Sequence, residues 1–273
     1  MIRRDITAPD GMRLATYDAG NPTGPEILFI HGFSQCSLCW RDQFSDPDLA
    51  RTFRLTAFDI RGHGNSAMPP DPGSYDKDRL YADDIASVLT ALNLKKPLIV
   101  AWSYAGRLID DYVMAHGTSA IAAINYVAAR TMTDARFNGP GTGHIRGMLK
   151  ADLATNIAAT RKFLRACSFM PHSPAEFELA LAYTMAVPPA IRAAHIFRPD
   201  SPGDAMDRIG LPVLVTQGTQ DLLVSQGLSV VTANRIKGAA LSIYPATGHA
   251  PFAEATLRFN RELAAFRGAN PSK

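Results

Sequence analysis

The stretch "LIVAWSYAGRL", residues 98–108, decides how the chain is read. Five apolar residues, Leu98 to Trp102, run into Ser103, and a helix-like pattern follows from Tyr104 onward. A short apolar run bounded by a turn and then an amphipathic segment reads as a buried strand, a tight turn and a helix. Ser103 is then either a nucleophile displayed on the turn or an ordinary serine between a strand and a helix. A nucleophile turn usually reads G-x-S-x-G. Here Ala101 and Ala105 hold the two outer positions, so the rest of the chain must settle the matter.

Working outward, the same kind of apolar run recurs as "EILFIHG", "FRLTAFDIRGHG", "AINYVAA", "PVLVTQG" and "ALSIYPATGH". Such runs suit strands buried on both faces of a parallel sheet. Ahead of them, "RRDIT" and "RLATYDA" flank Pro9-Asp10-Gly11, a turn sequence, and read as a hairpin. Helix-like segments alternate with the runs: "DRLYADDIASVLTALNL", "YAGRLIDDYVMAHG", "LLVSQGLSVVTANRI" and "APFAEATLRFNRELAAF". In the first of these, Leu80, Ile85, Val88, Leu89 and Leu92 recur at three-to-four spacing and form one apolar stripe. Strand and helix in alternation predict an α/β layered fold. From about Thr133 to Arg208 no strand pattern appears, only helix-like pieces such as "HIRGMLKADLATNIAATRKFLRAC", "SPAEFELALAYTMA" and "PPAIRAAHIF". The expected organisation is a core of residues 1–132 and 209–273 with a helical insertion at 133–208.

Composition narrows the function classes. The chain has 273 residues, 47% of them hydrophobic, enough for a large core. The net charge of +3 is mild and its basic residues are scattered, so nucleic-acid binding has no footprint. No run of about eighteen apolar residues and no signal-like leader is present, and a cytoplasmic protein without a membrane span is expected. Cys36, Cys39 and Cys167 are too few, and odd in number, for a disulfide framework. Cys36 and Cys39 spell C-x-x-C without a second ligand pair, and structural thiols are expected. The seven histidines are dispersed, no H-E-x-x-H occurs, and "HGFSQCS" lacks G-x-G-x-x-G. Neither a metal nor another cofactor is expected.

Parallel sheets present functional groups at the carboxyl ends of their strands. There the sequence places His31-Gly32-Phe33, Asp59 to Gly64, Ser103, Asp221 and His249. Ser103, Asp221 and His249 follow one another as serine, acid and histidine, the chain order of one known triad. On these motifs, from "ILFIHGF" through "FDIRGHGNS", "VAWSYAG" and "VTQGTQDLLV" to "ATGHAPFAEATLRFNREL", the chain resembles the α/β-hydrolase fold superfamily, in its esterase, lactonase and haloperoxidase-like branch. It departs from that pattern at the elbow, A-x-S-x-A-G for G-x-S-x-G-G.

The resemblance implies a mostly parallel central sheet flanked by helices, with the insertion as a cap. It also implies roles. Ser103 would be the nucleophile, His249 its base and Asp221 the group that orients the imidazole. Asp134 is the rival acid, and Asp221 is preferred because Gly218 to Asp221 forms G-x-x-D after a strand. Backbone N–H groups of Phe33 and Tyr104 would form the oxyanion hole. His31, Asp59, Arg61 and His63 would shape the neighbouring loop rather than react.

Trp102, Phe252 and Met132 are the expected substrate-binding residues, and Met148, Phe163, Phe169, Met170 and Met185 offer further apolar surface in the cap. Such a pocket favours uncharged small to medium esters or lactones. Four alternatives share the fold: an enol-lactone or carbon–carbon bond hydrolase using Arg107, Arg130 or Arg136 for a carboxylate, a perhydrolase, an acyltransferase, and a receptor with little turnover. The expected partner is a small molecule, and the sequence leaves a homodimer open.

Overall fold

The computed structural model describes residues 1–199 and 204–270. Eight strands form one sheet: β1 (Ile2–Thr7), β2 (Arg13–Gly20), β3 (Glu26–Ile30), β4 (Arg54–Phe58), β5 (Leu98–Trp102), β6 (Ala123–Val127), β7 (Val213–Gly218) and β8 (Ala240–Tyr244). Their order is β1-β2-β4-β3-β5-β6-β7-β8. The hairpin strand β2 lies antiparallel to both β1 and β4, and every pairing from β4 across to β8 is parallel. Each strand expected from the sequence is present, and the sheet is mostly parallel as expected.

Helices cover both faces: α1 (Arg41–Phe44), α2 (Pro47–Thr52), α3 (Asp78–Ala91) and α4 (Ala105–His116) precede the insertion. Within it lie α5 (Ile145–Met148), α6 (Leu153–Ala166), α7 (Pro174–Met185) and α8 (Pro189–Phe197), and after it α9 (Gln226–Arg235), α10 (Pro251–Glu254) and α11 (Thr256–Ala269). Between β6 and β7 the described residues form helices and turns, with one isolated bridge from Asn138 to Val224. Residues 200–203 of the expected insertion lie outside the described part. Among the described residues no helix is long and apolar enough to cross a membrane.

Alternate side chains of each central strand enter opposite layers, as a period of two requires. Leu28, Ile30, Ile99 and Ala101 pack with α3 and α4, whereas Ile27, Phe29, Val100 and Trp102 pack with Trp40, Phe252, Phe259 and Leu263. Two expectations need correction. β8 is an edge strand with Ala240 and Leu241 exposed, because only β7 pairs with it. The C-terminal helical segment is split at Ala255, whose φ of −130° and ψ of 45° leave the helical region.

On α3 the apolar face carries an unannounced charge. Asp84 is buried and takes both Nε and Nη2 of Arg61 at 2.7 Å. The remaining Arg61 donors reach Asp10, Ser74 O and Leu80 O, so all five N–H groups of a fully buried guanidinium are used. This arrangement fastens the loop after β4 to α3. Removing one partner of a buried pair strands the other charge, at a cost of about 3–5 kcal/mol. Asp84→Ala is therefore expected to lower the unfolding free energy by about that amount, measured by urea denaturation.

Candidate active site

The chain crosses from β3 to β4 on one side and from β5 to β6 on the other, so a crevice opens between the carboxyl ends of β3 and β5. Gly32 and Phe33 leave β3 there, and Ser103 and Tyr104 leave β5. The approach is close: a Cβ built on Gly32 would lie 3.2 Å from Ser103 Cβ.

Ser103 stands in the left-handed region with φ of 55°. An L-residue in that conformation costs roughly 1–2 kcal/mol, and three backbone hydrogen bonds hold it there. Its N–H donates to Val127 O at 3.0 Å, and its carbonyl accepts from Gly106 N at 3.0 Å and Arg130 N at 2.9 Å. Gly106 is obligatory, since a Cβ there would sit 2.9 Å from Arg130 O and 3.0 Å from Arg130 N. Ala101 and Ala105 are fully buried in the apolar layer. Their methyl groups are absorbed by that packing, and the sharp turn forms without the two outer glycines.

Two backbone donors flank the serine. Among the described residues, no acceptor takes the N–H of Phe33 or of Tyr104. Such amides in a crevice are suited to an oxyanion. The loop bearing Phe33 is fixed by its histidines. His31 donates from Nδ1 to Gly32 O at 2.9 Å and accepts Ile60 N–H at Nε2 at 3.0 Å. His63 donates from Nδ1 to Arg61 O at 3.0 Å and accepts Ser34 N–H at 3.1 Å. Asp59 accepts from Ser37 N, Asn65 N and Tyr17 OH. Apart from that of Tyr17, these hydrogen bonds lie within and between the loops after β3 and β4, and shaping them is the role the resemblance implies for these residues.

His249 and Asp221 meet with Nδ1 and Oδ2 2.8 Å apart, both side chains buried. Asp221 Oδ1 accepts from Leu223 N at 2.7 Å and Val224 N at 3.0 Å, and Oδ2 also accepts from Gln217 Nε2 at 3.0 Å. An ionised carboxylate only accepts, so Nδ1 carries the proton and Nε2 keeps its lone pair. The imidazole is held from behind as well: His249 N donates to Cys167 O at 3.0 Å, and Trp102 Nε1 donates to His249 O at 2.8 Å. No hydrogen bond joins Ser103 Oγ to His249 among the described residues; such contacts often tighten only with substrate. Asp134, the rival acid, is turned elsewhere. It caps a short turn through Arg136 N and pairs with the Arg136 guanidinium at 2.6 Å, which holds its carboxyl below the usual range.

Ser103 lines a cavity of about 500 Å³ together with Phe33, Tyr104, Phe163, Phe197, Leu223 and others. Trp102 and Phe252 do not line it. They face a neighbouring cavity of about 300 Å³ with Cys39, Cys167 and Tyr183, because Trp102 alternates onto the opposite sheet face from Ala101. Met132 lines a third space of about 150 Å³ beside Asp110 and Asp111. The Ser103 cavity is also less apolar than expected: Arg107, Arg130 and Arg146 line it, whereas Arg136 does not. Sequence reading missed Gln217, Arg146 and the Cys167 carbonyl. Gln217, four residues before Asp221 at a strand end, carried a weak signal, and the other two carried none. The three cysteines are buried thiols without disulfides. Burial pushes Cys36 up to about 12 and raises Cys39 and Cys167 as well, which keeps the thiols protonated.

Residues 27–262 match the model of the Alpha/beta hydrolase family, and the chain belongs to that family. A crystal structure from Burkholderia cenocepacia, provisionally described as an aryl esterase, is similar with a TM-score of 0.93 and 33% identity over 97% of each chain. The esterase RhEst1 from Rhodococcus sp. ECU1013 is similar with a TM-score of 0.88 and 30% identity, covering 97% of this chain and 98% of that one. The non-heme chloroperoxidase CPO-A1 from Kitasatospora aureofaciens is 27% identical over 95% of this chain and 98% of its own. The EphD protein of Mycobacterium tuberculosis is 30% identical over 168 residues, which span 61% of this chain but only 26% of EphD.

Three buried histidines carry a pH dependence. His31, His63 and His195 form a buried row, with ring centroids 5.3 and 4.7 Å apart. Desolvation lowers all three, His195 to about 3. A histidine lowered on folding gives stability that is complete above its unfolded value near 6.5 and is lost as pH falls from there toward 3. For His195 alone the loss between pH 7 and pH 5 is about 2 kcal/mol. Because the buried Asp84 carboxyl, raised to about 6 by desolvation, shifts the total the other way over the same range, the histidine contribution is read as a difference: between pH 7 and pH 5, His195→Phe is expected to lose about 2 kcal/mol less than the wild type in urea unfolding.

Proposed function

We propose that the chain is a serine hydrolase of carboxylic esters or lactones. The observation that carries this reading is Ser103, held at φ of 55° in the strand crevice between two backbone amides that have no acceptor among the described residues. Ser103 Oγ attacks the carbonyl carbon and His249 Nε2 takes its proton. The oxyanion receives the N–H groups of Phe33 and Tyr104. Asp221 keeps the imidazole in the required tautomer and stabilises its cation. The imidazolium then protonates the departing alcohol, and water, activated by the same base, releases the acid from Ser103.

The two esterases at 30% identity or more, similar across nearly the full length, support this class. The helical stretch 133–208 acts as a cap, contributing Asn138, Ile145, Leu149, Phe163 and Ile196 to the cavity wall. A serine at the elbow argues against the epoxide-hydrolase chemistry of this superfamily, which needs a carboxylate there. The likeness to a chloroperoxidase favours a second reading, in which hydrogen peroxide replaces water as acceptor of the acyl group.

Initial rates on 4-nitrophenyl esters of increasing acyl length test the proposal. Ser103→Ala is expected to lower kcat by up to about a millionfold, with thermal unfolding little changed. Equal turnover by wild type and Ser103→Ala would sink the serine reading.

A further inference from the structure

Resting on the hydrolase reading, we infer that the preferred substrates are esters whose apolar body ends in a carboxylate, received by Arg146 and Arg130 at the cationic wall of the Ser103 cavity. The polar lining, apart from Ser103 and Arg107, comes from one segment: Arg130, Thr133, Asn138, Thr142 and Arg146. Aromatic and aliphatic groups, among them Phe33, Tyr104, Phe163, Phe197 and Leu223, make up much of the rest. The cavity is therefore mixed in chemistry, and its described lining holds three arginines and no Asp or Glu.

The three arginines differ in what they already do. Arg107 donates to Arg198 O at 2.8 Å and Pro199 O at 3.1 Å, and it also borders the smaller space with Asp110 and Asp111, so its charge is shared. The backbone of Arg130 is bound to Ser103 O, which fixes its Cα beside the nucleophile, and its guanidinium donates to Asn138 Oδ1. Arg146 is exposed on the short helix α5 and makes no hydrogen bond or ion pair among the described residues. A guanidinium fork matches a carboxylate, and its charge acts over several ångströms in a partly enclosed space. A carboxylate tail on the acyl chain, with the ester carbonyl at Ser103, would lie along the apolar wall and end at this segment.

The test compares two 4-nitrophenyl esters of equal acyl length, the valerate and the monoester of glutaric acid. The expected result is a ratio of kcat/KM that favours the glutarate ester and falls about three- to tenfold in Arg146→Gln, mainly through KM. The fall should be larger in the Arg130→Gln, Arg146→Gln double variant, and partial recovery is expected in Arg146→Lys. Raising ionic strength should shrink the preference. Arg136→Gln, outside the cavity and paired with Asp134, should leave the ratio where it is. An unchanged ratio in both Arg146→Gln and the double variant, with both esters turned over, would overturn the anion inference while the hydrolase reading stands. If neither ester is hydrolysed, the hydrolase reading fails, and calorimetric titration of glutarate decides the rest. Binding weakened by Arg146→Gln would support a carboxylate site, and no binding to the wild type would overturn it.

Discussion

The backbone of Ser103 is the constraint on which the rest of the site depends. A residue at φ of 55° between a buried strand and a helix is tolerated only where its neighbours fix it from both sides. Here β6 supplies the acceptor at Val127, the segment after β6 supplies the donor at Arg130, and Gly106 allows α4 to come within contact of that segment. The parallel pairing of β3, β5 and β6 is what brings these groups to one level. Without that register, the crevice amides and the serine would not face a common space.

The same elbow anchors the helices above the sheet. Tyr104, next to Ser103, donates its hydroxyl proton to His195 O at 3.3 Å and accepts from Arg198 Nε at 3.2 Å. Arg107, one turn later, donates to Arg198 O. Arg198 in turn pairs with Asp111 of α4 at 2.8 Å, both side chains buried. The residues around Ser103 are therefore also those that hold the end of α8 in place. Deeper among the helices between β6 and β7, Arg192 is fully buried and donates to Asn156 Oδ1, Met148 O and Thr184 O, which ties α5, α6, α7 and α8 together. Desolvation lowers this guanidinium to about 10.

Much of this was legible in the sequence because its signals are local. Apolar runs ending in glycine, serine or aspartate marked the strands and their functional ends, and chain order separated Asp221 from most other acids. The misses follow from what periodicity does not encode. Trp102 and Ala101 are neighbours in sequence but face opposite sides of the sheet, so closeness to Ser103 did not make Trp102 a wall of its cavity. Asp84 lies on the buried stripe of α3, and its partner Arg61 is 23 residues away on a loop. Arg146 reaches the cavity from a helix whose placement depends on the packing of α5 against α6, which no short motif specifies. The alanines of the elbow depart from the motif because a motif records the common solution, whereas space at those positions is set by the surrounding layer.

The most direct measurement is covalent trapping with a fluorophosphonate, read by peptide mass spectrometry on the folded protein. Ser103 Oγ would form the bond to phosphorus as fluoride leaves, with His249 taking the hydroxyl proton. The expected result is one adduct, on the peptide containing Ser103, formed far more slowly in His249→Ala. No adduct on the folded wild type, or labelling of another serine such as Ser168 with Ser103 untouched, would contradict the claim that this turn holds an activated nucleophile.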